Sequence, residues 1–138
     1  MDYYYITGTS QGIGKALAEE LLQNKNNLVY GISRSQTIKS INYIHCKLDL
    51  KDPDKVSKFK FSDLENPTSI ALINNSAAIG EITHVGKASP EDIIDCYNIN
   101  IVSPAVLINS FLKKYQSVKC RSIIMNISSG AARRPIES

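Results

Sequence analysis

A chain of 138 residues, 43% hydrophobic and 21% charged, has the size and make-up of one globular domain, with neither a disordered nor a fibrous bias. Its net charge of +3 is thinly spread, and the pairs Lys113-Lys114 and Arg133-Arg134 read as solvated surface, so nucleic acid is excluded as a partner. Three widely spaced cysteines without a C-x-x-C (Cys46, Cys96 and Cys120) argue against a disulfide framework and against a zinc site. They read as small buried hydrophobes in a reducing setting. No apolar run approaches membrane-spanning length and the opening Met1-Asp2-Tyr3 resembles no leader, so a cytoplasmic chain free of membrane is expected.

In chain order, residues 3–6 form a short apolar run that predicts a first strand. Thr7-Gly8-Thr9-Ser10-Gln11-Gly12-Ile13-Gly14 follows, and then Ile13, Ala16, Leu17, Leu21 and Leu22 recur at helical spacing, predicting a helix over 12–23. A strand, a glycine turn and a helix in that order aim backbone N–H groups and the positive end of a helix dipole at an anion, here the pyrophosphate of a dinucleotide. Gly12 leaves the backbone open to the phosphate, and Gly14 lets the helix lie close on the sheet. A ligand-free glycine turn is the plainer alternative.

Residues 28–33 and 41–46 predict the second and third strands. Asp52-Pro53 is a helix start, cap then proline, for a short helix to about residue 61. Residues 70–73 predict the fourth strand. Ser89-Pro90-Glu91-Asp92 combines cap, proline and two acids at the start of a long helix, with apolar residues at 93, 94, 97, 101, 105, 108, 111 and 112 and a kink at Pro104. Residues 122–127 predict the fifth strand.

Strands alternating with helices imply an α/β fold: a single Rossmann-type domain over 1–138, with a doubly wound parallel sheet of order 3-2-1-4-5. Ligands of such sheets bind beyond the carboxyl ends of the strands, where the order reverses. The polar clusters fall there. Ser33-Arg34-Ser35 follows strand two, with no acid nearby to hold a ribose 2′-hydroxyl. An arginine flanked by hydroxyls suits a 2′-phosphate instead, which favours NADP(H); a solvated loop arginine is the alternative. Asp49-Leu50 follows strand three, Asn74-Asn75-Ser76-Ala77 strand four, and Asn126-Ile127-Ser128-Ser129-Gly130 strand five. On the residues alone, Asp49 suits a turn or helix cap, and the asparagines an Asn-rich turn.

The spacing of Gly8, Gly12 and Gly14 behind Thr7, followed by these clusters in this order, resembles the short-chain dehydrogenase/reductase family over the full length, most closely its benzil reductase and sepiapterin reductase-like members. The resemblance implies a cofactor site made of Gly8, Thr9, Ser10, Gln11, Gly12, Ile13, Gly14, Ser33, Arg34, Asp49, Leu50, Asn75, Ser76 and Ala77. Asp49 would receive the adenine amino group and Leu50 would back the ring. Asn75-Ser76-Ala77 would pass under the cofactor's ribose; the family's usual form is N-N-A-G, so Ser76 and Ala77 depart from it while remaining small. Asn100 would kink the long helix and hold a water of a proton relay, with Asn98 as runner-up. Ser129 would hydrogen-bond the oxygen of a small carbonyl substrate, and 127–138 would form the active-site loop. No metal is implied.

In complete members a Y-x-x-x-K pair follows the serine by about thirteen residues, which would fall near position 142. None of the seven tyrosines is expected to carry a lysine four positions on. The resemblance therefore implies an NADP(H)-dependent carbonyl or diketone reductase, here as an amino-terminal fragment of little activity, with strand five as an exposed edge open to self-association. The alternative is a nucleotide-binding module without catalysis.

Overall fold

A computed structural model describes residues 1–84 and 86–130. Arg133-Arg134 and the greater part of the expected active-site loop lie outside the described residues. Five parallel strands, β1 (Asp2–Thr7), β2 (Asn27–Ser33), β3 (Tyr43–Lys47), β4 (Ser69–Asn74) and β5 (Arg121–Asn126), form one sheet of order β3-β2-β1-β4-β5, as expected. The helices are α1 (Gly12–Leu21), α2 (Pro53–Ser57), α3 (Pro90–Tyr97) and α4 (Ser103–Tyr115), with a π-helical turn, Asn98–Val102, joining the last two.

The side-chain period of two sends alternate residues to opposite faces. Tyr3 and Tyr5 of β1, Tyr30 and Ile32 of β2, and Ile70 and Leu72 of β4 pack with Val56 of α2 and with Leu107, Phe111 and Tyr115 of α4. Ile6, Val29, Ala71 and Ile73 face the other way and pack with Ala18 of α1. Both faces are covered, so the inner strands are almost wholly apolar. Tyrosine still fits the core because its hydroxyls close a ring of bonds. The Ser62 amide donates to Tyr5 Oη (3.1 Å), Tyr115 Oη donates to the Ser62 carbonyl (2.7 Å), and the two phenols bond each other at 2.8 Å.

Several boundaries differ from those expected. Strand β3 begins at Tyr43, because residues 40–43 form a turn in which the Tyr43 amide bonds the Ser40 carbonyl; Ile41 is left 98% exposed. Helix α2 stops at Ser57 rather than near 61. The alternation Phe59-Lys60-Phe61 suits extended chain, and Phe61 enters the core edge-on to Tyr5, Phe111 and Tyr115. The three cysteines are half-buried, not buried, and all are free thiols.

The long helix differs most. Asp52 and Ser89 cap α2 and α3 as expected, through the amides of Lys55 and Asp92. Yet Ile93, Ile94, Tyr97, Ile101 and Leu112 are exposed, and the buried face is Ser103, Leu107, Phe111 and Tyr115. Pro104 has no N–H for the carbonyl four residues back. The π-turn just ahead of it absorbs that missing bond and rotates the apolar stripe out of phase.

Candidate functional site

The carboxyl ends of β1 to β4 open onto one cleft of about 450 Å³. Its first wall is the glycine turn. Gly8 has φ +76°, a conformation that excludes most side chains, and a Cβ there would stand 3.1 Å from the Ser76 backbone. Gly12 also has a positive φ, +59°, with nothing within 4 Å of where its Cβ would point. Gly14 faces no cleft: its Cβ would fall 2.4 Å from the Gly8 carbonyl oxygen and 2.3 Å from Asn75 Nδ2. Its smallness brings the helix onto the turn and onto β4's exit, rather than onto the sheet at large. Helix α1 starts at Gly12 without a side-chain cap from Gln11 and without an acid in its first turn, so its positive end is not neutralised from within. Ser10, Gln11 and Ile13 line the cleft, and Ile13 is two-thirds exposed there rather than part of the core.

Thr9 is fully buried beneath the cleft, its Oγ1 bonded to Tyr43 Oη at 2.8 Å. Ser33 and Arg34 form the second wall. Ser33 is buried, while the Arg34 side chain is exposed and, among the described residues, forms no ion pair.

Asp49 and Leu50 form the third wall. Asp49 Oδ1 accepts from the Lys51 amide at 3.1 Å, the expected turn, and it still borders the cleft. Ser103 Oγ donates to the Leu50 carbonyl at 2.7 Å, which ties this wall to α4. Lys51 Nζ pairs with Asp95 Oδ2 at 2.5 Å, and that carboxylate raises the lysine's pKa.

The fourth wall is β4's exit. Thr7 Oγ1 accepts from the amides of both Asn75 and Ser76 at 2.9 Å, and Asn75 Nδ2 donates to the Thr7 carbonyl at 3.0 Å. Asn74 Nδ2 donates to Asn126 Oδ1 at 2.9 Å, stitching β4 to β5. Asn75, Ser76 and Ala77 all line the cleft. Asn100, in the π-turn, holds both backbone groups of Ala78: Oδ1 accepts from its amide at 2.9 Å and Nδ2 donates to its carbonyl at 2.6 Å. Asn98 instead donates to the Lys51 carbonyl. Thr9, Gly14, Asn100 and Ser129 are therefore not cleft-lining residues; Ser129 stands exposed beyond β5. Ile32, Leu48, Lys51, Ala78 and Ile99 do line the cleft and were not singled out in the sequence, though each adjoins or lies near a predicted residue.

A family model described as short chain dehydrogenase matches residues 3–138. The chain belongs to that family of oxidoreductases. It is 34% identical to a benzil reductase ((S)-benzoin forming) of Bacillus cereus, over 98% of this chain and 59% of that protein. Among solved structures, the closed form of serine dehydrogenase complexed with NADP+ superposes with a TM-score of 0.79 at 21% identity, covering 97% of this chain and 56% of that one. 4-Hydroxyisoleucine dehydrogenase complexed with NADH gives 0.77 at 23% identity, covering 99% and 59%. Of these two structures of the same fold one holds NADP+ and the other NADH, and the chain spans about three fifths of the length of the benzil reductase.

One expectation about family motifs fails on the sequence itself. Two tyrosines do carry a lysine four positions on, Tyr43 with Lys47 and Tyr115 with Lys119. Both pairs precede Ser129, and neither phenol lines the cleft. Tyr43 is bonded to Thr9, and Tyr115 to Tyr5 and Ser62. Among the described residues, no helix is long and apolar enough to cross a membrane and no cluster of metal-ligating side chains occurs.

Proposed function

We propose that the chain is the cofactor-binding part of an NADP(H)-dependent reductase of small carbonyl compounds, of the diketone type. The observation that carries the NADP(H) reading is Arg34, a guanidinium without an ion-pair partner among the described residues, placed at the cleft wall beside Ser33 with no acid in the same turn. A ribose 2′-phosphate offers it charge-assisted bonds that a 2′-hydroxyl does not. The residues present suit the rest of the cofactor as well. The uncapped start of α1 and the open face of Gly12 suit the pyrophosphate, Asp49 and Leu50 the adenine, and the bonded backbone of Asn75 and Ser76, with the small Ala77 after it, the second ribose.

When bound, NADPH supplies the hydride. Ser129 would donate a hydrogen bond to the carbonyl oxygen as charge gathers there. Asn100 would hold β4's exit in place through Ala78. Neither Tyr43 nor Tyr115 is free to donate a proton at the cleft, which supports slow or no turnover by these 138 residues alone. A cytoplasmic setting and self-association along β5 belong to the same reading.

Titration of the chain with 2′-phospho-AMP and with AMP tests it. The expected result is tighter binding of the 2′-phosphorylated ligand by about tenfold or more, the worth of one charge-assisted contact. Equal binding, or none, overturns the NADP(H) reading. NADPH consumption with a diketone at ordinary rates would overturn the reading of slow turnover.

A further inference from the structure

Beneath the Arg34 turn runs a chain of hydrogen bonds whose direction the donors dictate. Ser33 Oγ has one proton and gives it to the Ser35 carbonyl at 2.9 Å. It therefore only accepts from its other neighbours. Thr9 Oγ1 donates to it at 3.4 Å, so Thr9 must in turn accept from Tyr43 Oη, 2.8 Å away. Burial raises the Tyr43 pKa, which keeps that proton in place. His45 Nε2 stands 3.1 Å from both the Ser33 hydroxyl and the Ser33 carbonyl. A carbonyl cannot donate, so Nε2 carries the proton and clamps Ser33 from the β3 side. The order is Tyr43 to Thr9 to Ser33 to Ser35, with His45 as a second clamp.

The space for this chain comes from Gly31. A Cβ at that position would fall 1.9 Å from Tyr43 Oη and 2.5 Å from Thr9 Oγ1. On the far side of Arg34, Thr37 Oγ1 donates to the Ser10 carbonyl at 2.9 Å. The Arg34 segment is thus pinned at both ends to the glycine turn: by Thr37 on Ser10, and by Ser33 on Thr9.

We propose that Tyr43, acting through Thr9, and His45 are positioning residues that fix the Ser33–Ser35 turn and so set the preference for a nucleotide phosphorylated on its ribose 2′ oxygen. Neither need touch the ligand. The proposal rests on the reading of Arg34 given above. A turn that is merely polar would leave the long arginine side chain to many rotamers. A turn pinned from below limits where its guanidinium can reach, and that gain accrues only to a ligand with a group for it to hold.

The test is the ratio of affinities for 2′-phospho-AMP over AMP, measured on the parent chain and on Tyr43→Phe, His45→Phe, Thr9→Val and Thr9→Ser. Tyr43→Phe keeps the ring and removes only the donor that heads the chain. The expected result is a fall in the ratio of about fivefold in Tyr43→Phe, His45→Phe and Thr9→Val, the worth of one neutral hydrogen bond, with AMP affinity held within about twofold. Thr9→Ser retains the hydroxyl and should retain the ratio. Should Tyr43→Phe fail to fold, the half-buried His45 and the Thr9 pair give the same readout. A high parent ratio that survives all three disruptive substitutions overturns this proposal and leaves the Arg34 reading standing. Equal losses for both ligands also overturn it, since the network would then serve only the fold. A parent ratio near one overturns the Arg34 reading, and this proposal with it.

Discussion

Replacing Gly14 by alanine sets two effects of opposite sign against each other. Gly14 lies in the first turn of α1, where alanine is the better helix former by about 1 kcal/mol. Against that, the new Cβ would stand 2.4 Å from the Gly8 carbonyl oxygen and 2.3 Å from Asn75 Nδ2. Ordinary contact begins near 3.4 Å, so both neighbours must retreat by about 1 Å. Neither does so freely. Gly8 is backbone held at φ +76°, and Asn75 Nδ2 is bonded to the Thr7 carbonyl at 3.0 Å. Overpacking of this kind costs about 1–3 kcal/mol, and two fixed neighbours place it in the upper part of that range. The expected balance is a loss of about 1–2 kcal/mol, or a fall in Tm of about 4–8 °C for a chain of this size. Urea unfolding followed by circular dichroism reads it directly. A variant as stable as the parent, or more so, would show that α1 does not sit against the turn and Asn75 as described. Gly12→Ala is the companion, since its Cβ meets nothing within 4 Å. Its cost to the fold is the strain of a positive φ, about 1 kcal/mol, whereas its methyl group enters the cleft and should weaken nucleotide binding more than it weakens the fold.

Thr7→Val should cost about 2–3 kcal/mol, because Thr7 Oγ1 is the acceptor for the amides of Asn75 and Ser76 and valine leaves both unpaired in a largely buried place; a urea midpoint within error of the parent would contradict it. Stability should also fall with alkali. Burial pushes Tyr5 up to about 12 and Tyr115 higher still, against an ordinary value of 10.0, so the folded state keeps these phenols neutral where the unfolded chain releases the protons. The stabilisation is complete below pH 10 and declines as the pH rises through 12, by about 1.4 kcal/mol per pH unit for each tyrosine while it remains protonated. The same urea midpoint at about pH 9 and about pH 11 would refute this.

Much of the architecture was legible because it depends on period and punctuation. Near-continuous apolar runs at 3–6, 28–33 and 70–73 declare strands covered on both faces, and Asp52-Pro53 and Ser89-Pro90 mark helix starts that the structure keeps. The long helix was misread where one backbone defect outweighed local pattern. Its apolar positions count as a single stripe only if the turns stay in phase, and the π-turn ahead of Pro104 breaks that phase. Leu107, which completes the buried i, i+4 series from Ser103 to Tyr115, was accordingly absent from the predicted face. The end of α2 was misplaced for a related reason. Phe59 and Phe61 could extend a helix, but a two-residue step lets both rings meet edge-on at 5.1 Å and brings Phe61 to the tyrosine cluster.

The candidate site divides along the same line. Groups that meet a ligand through backbone or through an exposed side chain sit at sequence-local marks: Gly12 and Arg34 could be named from their neighbours alone, Asp49 and Asn75 only through the family resemblance. What holds them is not local. Thr9 stands in the glycine motif, yet its partners are Ser33, twenty-four residues on, and Tyr43, thirty-four on. The pairing of Gly31 with His45 across β2 and β3 is set only once the sheet register exists. A tyrosine at 43 and a glycine at 31 carry no joint signal in one sequence, because the reason for the glycine is the space that the tyrosine's hydroxyl fills. The fold therefore contributes what the motif lacks: it turns an arginine on a loop into one whose turn is fastened from both strands.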